Sequence, residues 1–253
     1  MLEEHMEAEF KVALQPRRLA ALFLLIIAVG AVTSLLSLGL WEVGGLSLSD
    51  IQSGIDLSLS ERMIMRAGLI INHAGMFLIP GIIFAYIYHK RNMSSVLWLN
   101  NRGGISGYVL WGLAILCSYP FIAGVTQFNM SLDFPEWINS AQDDSFALLS
   151  NALTMESPLE FLANVLLVGV MAAVGEELIF RGILQRHLQS LWSNPHMGII
   201  VASIIFGGIH MQAERLLPLM FLGLLLGYSY HYTKSLWVPI VLHFLNNTMQ
   251  VTA

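Results

Sequence analysis

Seven stretches of the chain, approximately residues 19–41, 64–88, 105–127, 159–180, 197–212, 216–232 and 236–251, are almost free of charge. A helix needs about 20 apolar residues to cross the hydrocarbon of a bilayer. Within lipid every backbone N–H and C=O needs an internal partner, so stretches of this kind are helices. The expected fold is all-α: a polytopic transmembrane helical bundle of about seven to eight membrane helices. Composition agrees, because 56% of the 253 residues are hydrophobic and only 11% are charged. Membrane lipid is therefore the expected surround. The charged loops contain no basic run and no interleaving of aromatic with basic residues, which excludes a nucleic-acid partner. A single cysteine, Cys117, excludes an intrachain disulfide and, in its apolar run, reads as a small buried core residue.

The fifth and sixth stretches are short and joined by "MQAERLLP". They read as a helical hairpin, in which Gly223 and Gly227 favour close packing. The first stretch follows a long, acid-rich leader with no clear small-residue cleavage site after it, so it reads as a retained span. Residues 1–18 are expected to be a cytoplasmic leader and 19–253 a single transmembrane domain. Lys11, Arg17 and Arg18 precede the first span; Lys90, Arg91 and Arg102 lie between the second and third; Arg186 follows the fourth; Lys234 separates the last two. The alternate loops, 42–61 and 129–158, are acidic or poor in base. By the positive-inside rule the N-terminus is expected in the cytoplasm. Phe134 and Trp137 suit the membrane interface, and Ser157, Pro158 and Glu160 mark the start of a long fourth helix through a capping box.

That helix carries "AAVGEELIFRGIL", residues 172–184, in which three charges follow an uncharged run. Charges inside a membrane are costly and form either a structural ion cluster or a functional site. Glu177 and Arg181 are four apart, with the acid first, which is the favourable order for a helical ion pair. Glu176 is turned about 100° away, which leaves it free to act as a general base. Two further polar sets follow: "FGGIH", with Phe206 and His210 one turn apart and two glycines allowing close approach, and "HFLNN", with His243 and Asn247 on one face. An imidazole can hold water or a metal, and an amide can donate to an oxyanion. Together these are parts for adding water to a peptide carbonyl. Asn72 and His73 read instead as helix-to-helix hydrogen bonds. His187, His196 and His231 fall at span ends and His5 and His89 in loops, where they read as interfacial or solvated. An intramembrane ion or proton transporter uses similar groups, and a non-catalytic immunity or binding protein on the same scaffold is a second alternative.

"EELIFR", "FGGIH" and "HFLNN" resemble, in order and separation, the EExxxR, FxxxH and HxxxN motifs of the CPBP family of intramembrane proteases, the CAAX protease and bacteriocin-processing or Abi proteins. The resemblance covers roughly residues 155–250. It implies an endopeptidase in which Glu176 activates water with help from His210, while His243 and Asn247 steady the tetrahedral oxyanion. Glu177, Arg181 and Phe206 occupy the supporting motif positions. The implied substrate is a hydrophobic or lipid-modified protein or peptide, the expected location is the inner membrane of a bacterium, and the site is expected to open in the cytoplasmic half of the bilayer. The family is commonly called a metalloprotease, and Glu176, His210 and His243 would make a feasible zinc set. The chain contains no HExxH, and activation of water by Glu176 and His210 without metal is the reading slightly favoured.

Overall fold

The computed structural model describes residues 16–52, 56–192 and 194–251, and among them all regular structure is helical. The helices are α1 (Pro16–Val43), α2 (Leu48–Gln52), α3 (Leu59–Val96), α4 (Ile105–Met130), α5 (Glu136–Leu153), α6 (Pro158–Trp192), α7 (Pro195–Ile209), α8 (Leu216–Thr233) and α9 (Trp237–Val251). Residues 1–15 of the expected leader, with Lys11 and His5, lie outside the described residues. Seven of these helices coincide with the seven apolar stretches, and α1, α3, α4 and α6 are long and apolar enough to cross a membrane. The protein is an all-α bundle built for a bilayer.

The outermost helices leave large apolar side chains uncovered, among them Phe23 and Leu35 on α1 and Leu110 and Phe121 on α4. Exposed apolar surface of this extent marks contact with lipid or a partner. Cys117 belongs to the same surface: it is exposed, not buried. An apolar run reads the same whether it faces lipid or a protein core, so the sequence could not place this side chain.

Two helices were not foreseen. α2 and α5 lie where loops were expected, and Asn151 of α5 donates to the Ile51 carbonyl of α2 at 3.0 Å. Trp41, Leu46, Ile51, Leu57, Met65 and Ala152 form a small separate core beneath them.

The start of α6 follows from its capping residues. Ser157 Oγ accepts from the Glu160 N–H at 3.3 Å, and Pro158 takes the first turn, where no N–H is needed. Glu160 does not complete the box, because its Oε2 accepts from the Ser157 hydroxyl at 3.3 Å and not from the Ser157 N–H. Its carboxylate accepts from the Glu156 N–H at 2.9 Å, and it also takes Arg62 at 2.6 Å and Arg66 at 3.0 Å. Arg62 reaches Glu156 as well, at 2.6 Å, and Arg66 binds the carbonyls of Ala152 and Thr154 and the Asn164 amide oxygen. Two buried guanidiniums are thus balanced by two carboxylates, which ties α3 to the α5–α6 corner. Neither arginine is a free loop charge.

Small residues set the helix spacing. On α8, a Cβ at Gly223 would meet Ser203 of α7 at 3.0 Å, and one at Gly227 would meet Ile199 at 2.8 Å, so the hairpin packs as its glycines predict. Gly207 is equally constrained, with Met220 at 2.6 Å, whereas Gly208 has open space beside it. Ser34 of α1 donates to Asn72 Oδ1 on α3 at 3.0 Å, the helix-to-helix bond expected for Asn72.

The bundle has two distinct ends. Arg18 lies over Tyr88, while Arg186 and Lys234 both lie over Trp98. The start of α1, the α3–α4 connection, the end of α6 and the α8–α9 connection therefore gather at one end. At the other, Asn129 near the end of α4 donates to the Ala213 carbonyl and accepts from the Leu217 N–H at 2.9 Å, which fixes the α7–α8 turn there.

Candidate functional site

Within α6, the stretch Ala172–Glu177 lies between two π-helical segments, Val165–Met171 and Leu178–Gln185. Such wider turns interrupt the regular ladder and occur frequently at functional sites. Glu176 and Glu177 are both buried. Glu177 Oε1 accepts from Arg181 at 2.8 Å, the pair predicted by their spacing. Arg181 also donates to the Gly223 carbonyl at 3.0 Å, and its guanidinium lies 4.5 Å from the centre of the Phe206 ring.

The same oxygen of Glu177 stands 2.8 Å from His243 Nδ1. A carboxylate only accepts, so His243 donates from Nδ1 and its neutral form presents a lone pair at Nε2. His210 is fixed in the same tautomer, because its Nδ1 lies 2.7 Å from the Phe206 carbonyl. Phe206, fully buried, stands edge-on to both rings, at 4.9 Å from His210 and 5.8 Å from His243. It is the apolar wedge against which Arg181 and the two imidazoles are set.

Around Glu176 three imidazoles converge. Its Oε2 lies 3.8 Å from His210 Nε2 and 4.0 Å from His243 Nε2, and its Oε1 lies 3.9 Å from His73 Nε2. These separations are too long for direct hydrogen bonds, and polar pairs at such range are commonly bridged by water. Glu176 Oε2 and His73 Nε2 are buried without a hydrogen-bond partner. A buried orphan of this kind costs about 1–3 kcal/mol, so the cluster is built to receive something polar.

His73, read from the sequence as a helix-to-helix hydrogen bond, has its Nε2 buried without a hydrogen-bond partner and stands beside Glu176 instead. It reaches Glu176 because α6 has glycine at the point of contact: a Cβ on Gly175 would lie 3.0 Å from Phe77 Cβ and 3.4 Å from His73 Nε2. A π-helical segment, Ala74–Leu78, begins immediately after His73, and Phe77 packs on the imidazole with ring centres 4.7 Å apart. The usable sequence signal was the "GEE" step, a glycine beside an acid inside an apolar span. It foretells a close neighbour without naming it.

Asn247 stands one turn beyond His243 on α9, as expected, but its amide is engaged. It donates to the Val168 carbonyl in the π-helical part of α6 at 2.9 Å, and its Oδ1 accepts from Asn246 at 3.2 Å. The structure therefore brings Glu176, His210 and His243 together, adds His73, and holds Asn247 on the adjoining helix wall. His187, expected at an interface, is buried; its Nδ1 is 2.8 Å from the Ile183 carbonyl and its ring is edge-on to Phe84. His196 is exposed, as expected, and lies 3.0 Å from the Tyr228 hydroxyl.

Two hollows share lining residues with the surroundings of the cluster. An apolar groove of about 650 Å³ runs along α1 and is lined by Leu22, Ile26, Met76, Phe77, Phe180 and Ile209. A cleft of about 600 Å³ with a mixed lining, including Phe146, Leu153, Val168, Gln212, Arg215 and Gln250, opens between α5 and the α7–α8 turn. The groove shares Phe77 with the packing around His73, and the cleft shares Val168 with the Asn247 bond.

Comparison with known proteins concerns residues 158–249, about a third of the chain. Residues 158–249 match the family model described as type II CAAX prenyl endopeptidase Rce1-like. Two curated proteins of Bacillus subtilis (strain 168) are similar. "Putative membrane peptidase YdiL" is 31% identical over 87 residues, which is 34% of this chain and 35% of that protein. "Uncharacterized protein YpbD" is 33% identical over 88 residues, 33% of this chain and 42% of that protein. Each match thus spans less than half of the relative's own length. No solved structure matches the chain. Glu176, Glu177, Arg181, His210, His243 and Asn247 all fall within residues 158–249, the segment that matches the Rce1-like type II CAAX prenyl endopeptidase model.

Proposed function

We propose that the protein is an intramembrane endopeptidase that hydrolyses a peptide bond in a membrane-embedded or lipid-anchored substrate, with water activated by Glu176 and His210. The observation that carries this reading is the buried carboxylate of Glu176, with an oxygen lacking any hydrogen bond and three imidazole nitrogens within 4.0 Å. A water between Glu176 Oε2 and His210 Nε2 loses a proton to Glu176, and its oxygen bonds to the substrate carbonyl carbon. The proton on Glu176 then passes to the leaving nitrogen as the C–N bond breaks, which restores the carboxylate.

The tetrahedral intermediate carries an oxyanion, for which Asn247 and His243 are the proposed donors. Asn247 has one amide N–H on Val168 and a second N–H left to donate. His243 donates from Nε2 only in its doubly protonated form, for which Glu177 supplies the counter-charge at Nδ1. His73, whose Nε2 stands 3.9 Å from the other oxygen of Glu176, acts as a positioning residue: through a bridging water it steadies Oε1 so that Oε2 stays aimed at the attacking water.

His210, His243 and Glu176 are also donors of the kind that hold zinc, with Glu177 behind His243 as such a ligand's usual second partner. A zinc ion held there would polarise the substrate carbonyl and the water. Among the described residues no three His, Cys, Asp or Glu side chains are already gathered into a metal site. The proton route through Glu176 stands on the chain's own groups.

The test is cleavage of a fluorogenic hydrophobic or lipidated peptide by purified protein in detergent or liposomes. Glu176→Gln should fold and insert normally with a rate near background. An unchanged rate in that variant would remove the reading, and proton flux in place of cleavage would favour a transporter.

A further inference from the structure

Asn246 precedes Asn247 in "HFLNN", and the chemistry described above gives it no part. It lies on a different face of α9. Val238, Leu242 and Asn246 follow one another at four-residue intervals, and the first two belong to an apolar core with Ile115 of α4 and Leu222 and Leu226 of α8. Asn246 continues that stripe and is only 4% exposed. His243 and Asn247 each stand one residue further on, turned about 100° from it, and both bond to α6. Packing alone would favour an apolar residue at position 246. An amide there costs free energy unless its bonds are made.

The partner comes from α4. Tyr108, Trp111, Ile115 and Tyr119 recur at three- and four-residue spacing, and the first three pack on that same core. Tyr119 places a hydroxyl on the stripe, 3.1 Å from Asn246 Oδ1. Asn246 Nδ2 is 3.2 Å from Asn247 Oδ1, and Asn247 Nδ2 is 2.9 Å from the Val168 carbonyl. The last member of this row fixes the sense of every bond in it. A carbonyl only accepts, so Asn247 turns its NH2 to Val168 and its oxygen away. That oxygen takes an N–H from Asn246, whose own oxygen then faces α4, where the Tyr119 hydroxyl donates. Successive bonds of one sense polarise one another. Here they sharpen the positive end of the Asn247 amide, which carries the second N–H.

We infer that Asn246 and Tyr119 are positioning residues for the hydrolysis, which hold the Asn247 amide with its N–H side, and not its oxygen, turned to the developing oxyanion. The inference rests on the peptidase reading and on Asn247 as an oxyanion donor. Asparagine turns readily about its last side-chain bond. Without the row, Asn247 would present its oxygen for part of the time, and two like charges would meet where a bond is needed. α4 lies outside residues 158–249, so a helix beyond the matched segment takes part in the chemistry.

The experiment follows cleavage of a fluorogenic transmembrane peptide by the purified protein in liposomes, with kcat, KM and melting temperature measured for Asn246→Leu and Tyr119→Phe. Asn246→Leu should lower kcat about tenfold, the lower end of what a lost outer partner costs. KM and melting temperature should change little, because leucine suits the stripe. Tyr119→Phe should lower kcat less, since the bond between the two asparagines survives. Each substitution is then repeated in an Asn247→Ala background, where neither should lower kcat further, because both act only through that amide. Losses that multiply in that background would overturn the inference, as would a rate that merely follows the amount of folded protein. If Asn246→Leu fails to fold, Tyr119→Phe, which removes a single oxygen, carries the same comparison. Normal turnover in both variants beside an active wild type overturns this inference alone. A wild-type protein that cleaves nothing overturns the peptidase reading and this inference with it.

Discussion

Glu177 Oε1 is shared by Arg181 on its own helix and His243 on α9, each at 2.8 Å. One oxygen thus holds together a structural ion pair and the orientation of an imidazole that faces Glu176. Two glutamates stand side by side in the chain, and this contact separates them: Glu177 is bound through Oε1 by both partners, whereas Glu176 stands 3.8–4.0 Å from three imidazoles.

Glu177→Gln should therefore show two effects. Arg181 loses its counter-charge in a buried place, where breaking a pair costs roughly 3–5 kcal/mol, so the melting temperature or the yield should drop. Because His243 is also released from its carboxylate, the rate per folded molecule should fall by about 10–100-fold, as for a lost outer partner. Glu176→Gln should give the contrasting result, a normal melting temperature with activity near background. Melting curves and turnover for both variants decide the matter; a stable, inactive Glu177→Gln beside an active Glu176→Gln would reverse the two assignments.

His73 makes a sharper test because it lies outside residues 158–249, the matched segment. If it steadies Glu176 Oε1, His73→Leu should lower kcat about tenfold or more with little change in KM, while a donor of similar reach in His73→Gln should restore a large part of the rate. Equal losses in both variants, in step with the amount of folded protein, would make His73 a packing residue.

Much of this arrangement was legible in the sequence, and the remainder failed for identifiable reasons. Apolar length gave the seven spans, and the four-residue spacing gave Glu177 with Arg181 and placed His243 with Asn247. These are properties of a single helix. His73 and Glu176 are about a hundred residues apart, and no periodicity connects them; likewise the partners of Glu160, Arg62 and Arg66, come from a different span. Cys117 and His187 were misplaced because lipid and protein interior are both apolar, so a run of hydrophobic residues does not say which of its faces is covered. α5 was missed because a polar helix lying outside the spans has the composition of a loop.

Asn247→Ala tests the oxyanion assignment. Loss of one oxyanion donor typically lowers kcat by about 10²–10³-fold, and since the charge exists only in the transition state, KM should change much less. The bond to Val168 supplies the competing outcome: if Asn247 merely ties α9 to α6, the variant should lose stability and keep its turnover.

The metal-free proton route also makes a definite statement. Exhaustive chelation followed by metal analysis should leave cleavage largely intact in protein holding well under one zinc per chain. Loss of activity on chelation, restored stoichiometrically by zinc, would instead assign His210, His243 and Glu176 as its ligands.

The cluster of Arg62, Arg66 and Glu160 gives the last prediction, because it separates stability from chemistry. Glu160 lies sixteen residues before Glu176 on α6, about 24 Å along the helix, and it accepts from both arginines while capping the chain at Glu156. Glu160→Gln keeps the shape but leaves two guanidiniums with Glu156 as the remaining carboxylate of the cluster, so unfolding should occur at a clearly lower temperature. Removing one arginine as well, in Arg66→Met with Glu160→Gln, takes away the charge that lost its partner. The double variant should then be less destabilised than the two single losses added together, although the carbonyls of Ala152 and Thr154 still lose their donor. In both variants the folded fraction should cleave at the wild-type rate, since no group around Glu176 has moved. Melting temperature and turnover per folded molecule are the two measurements. A fall in turnover at unchanged stability would mean that this distant cluster acts on the site after all.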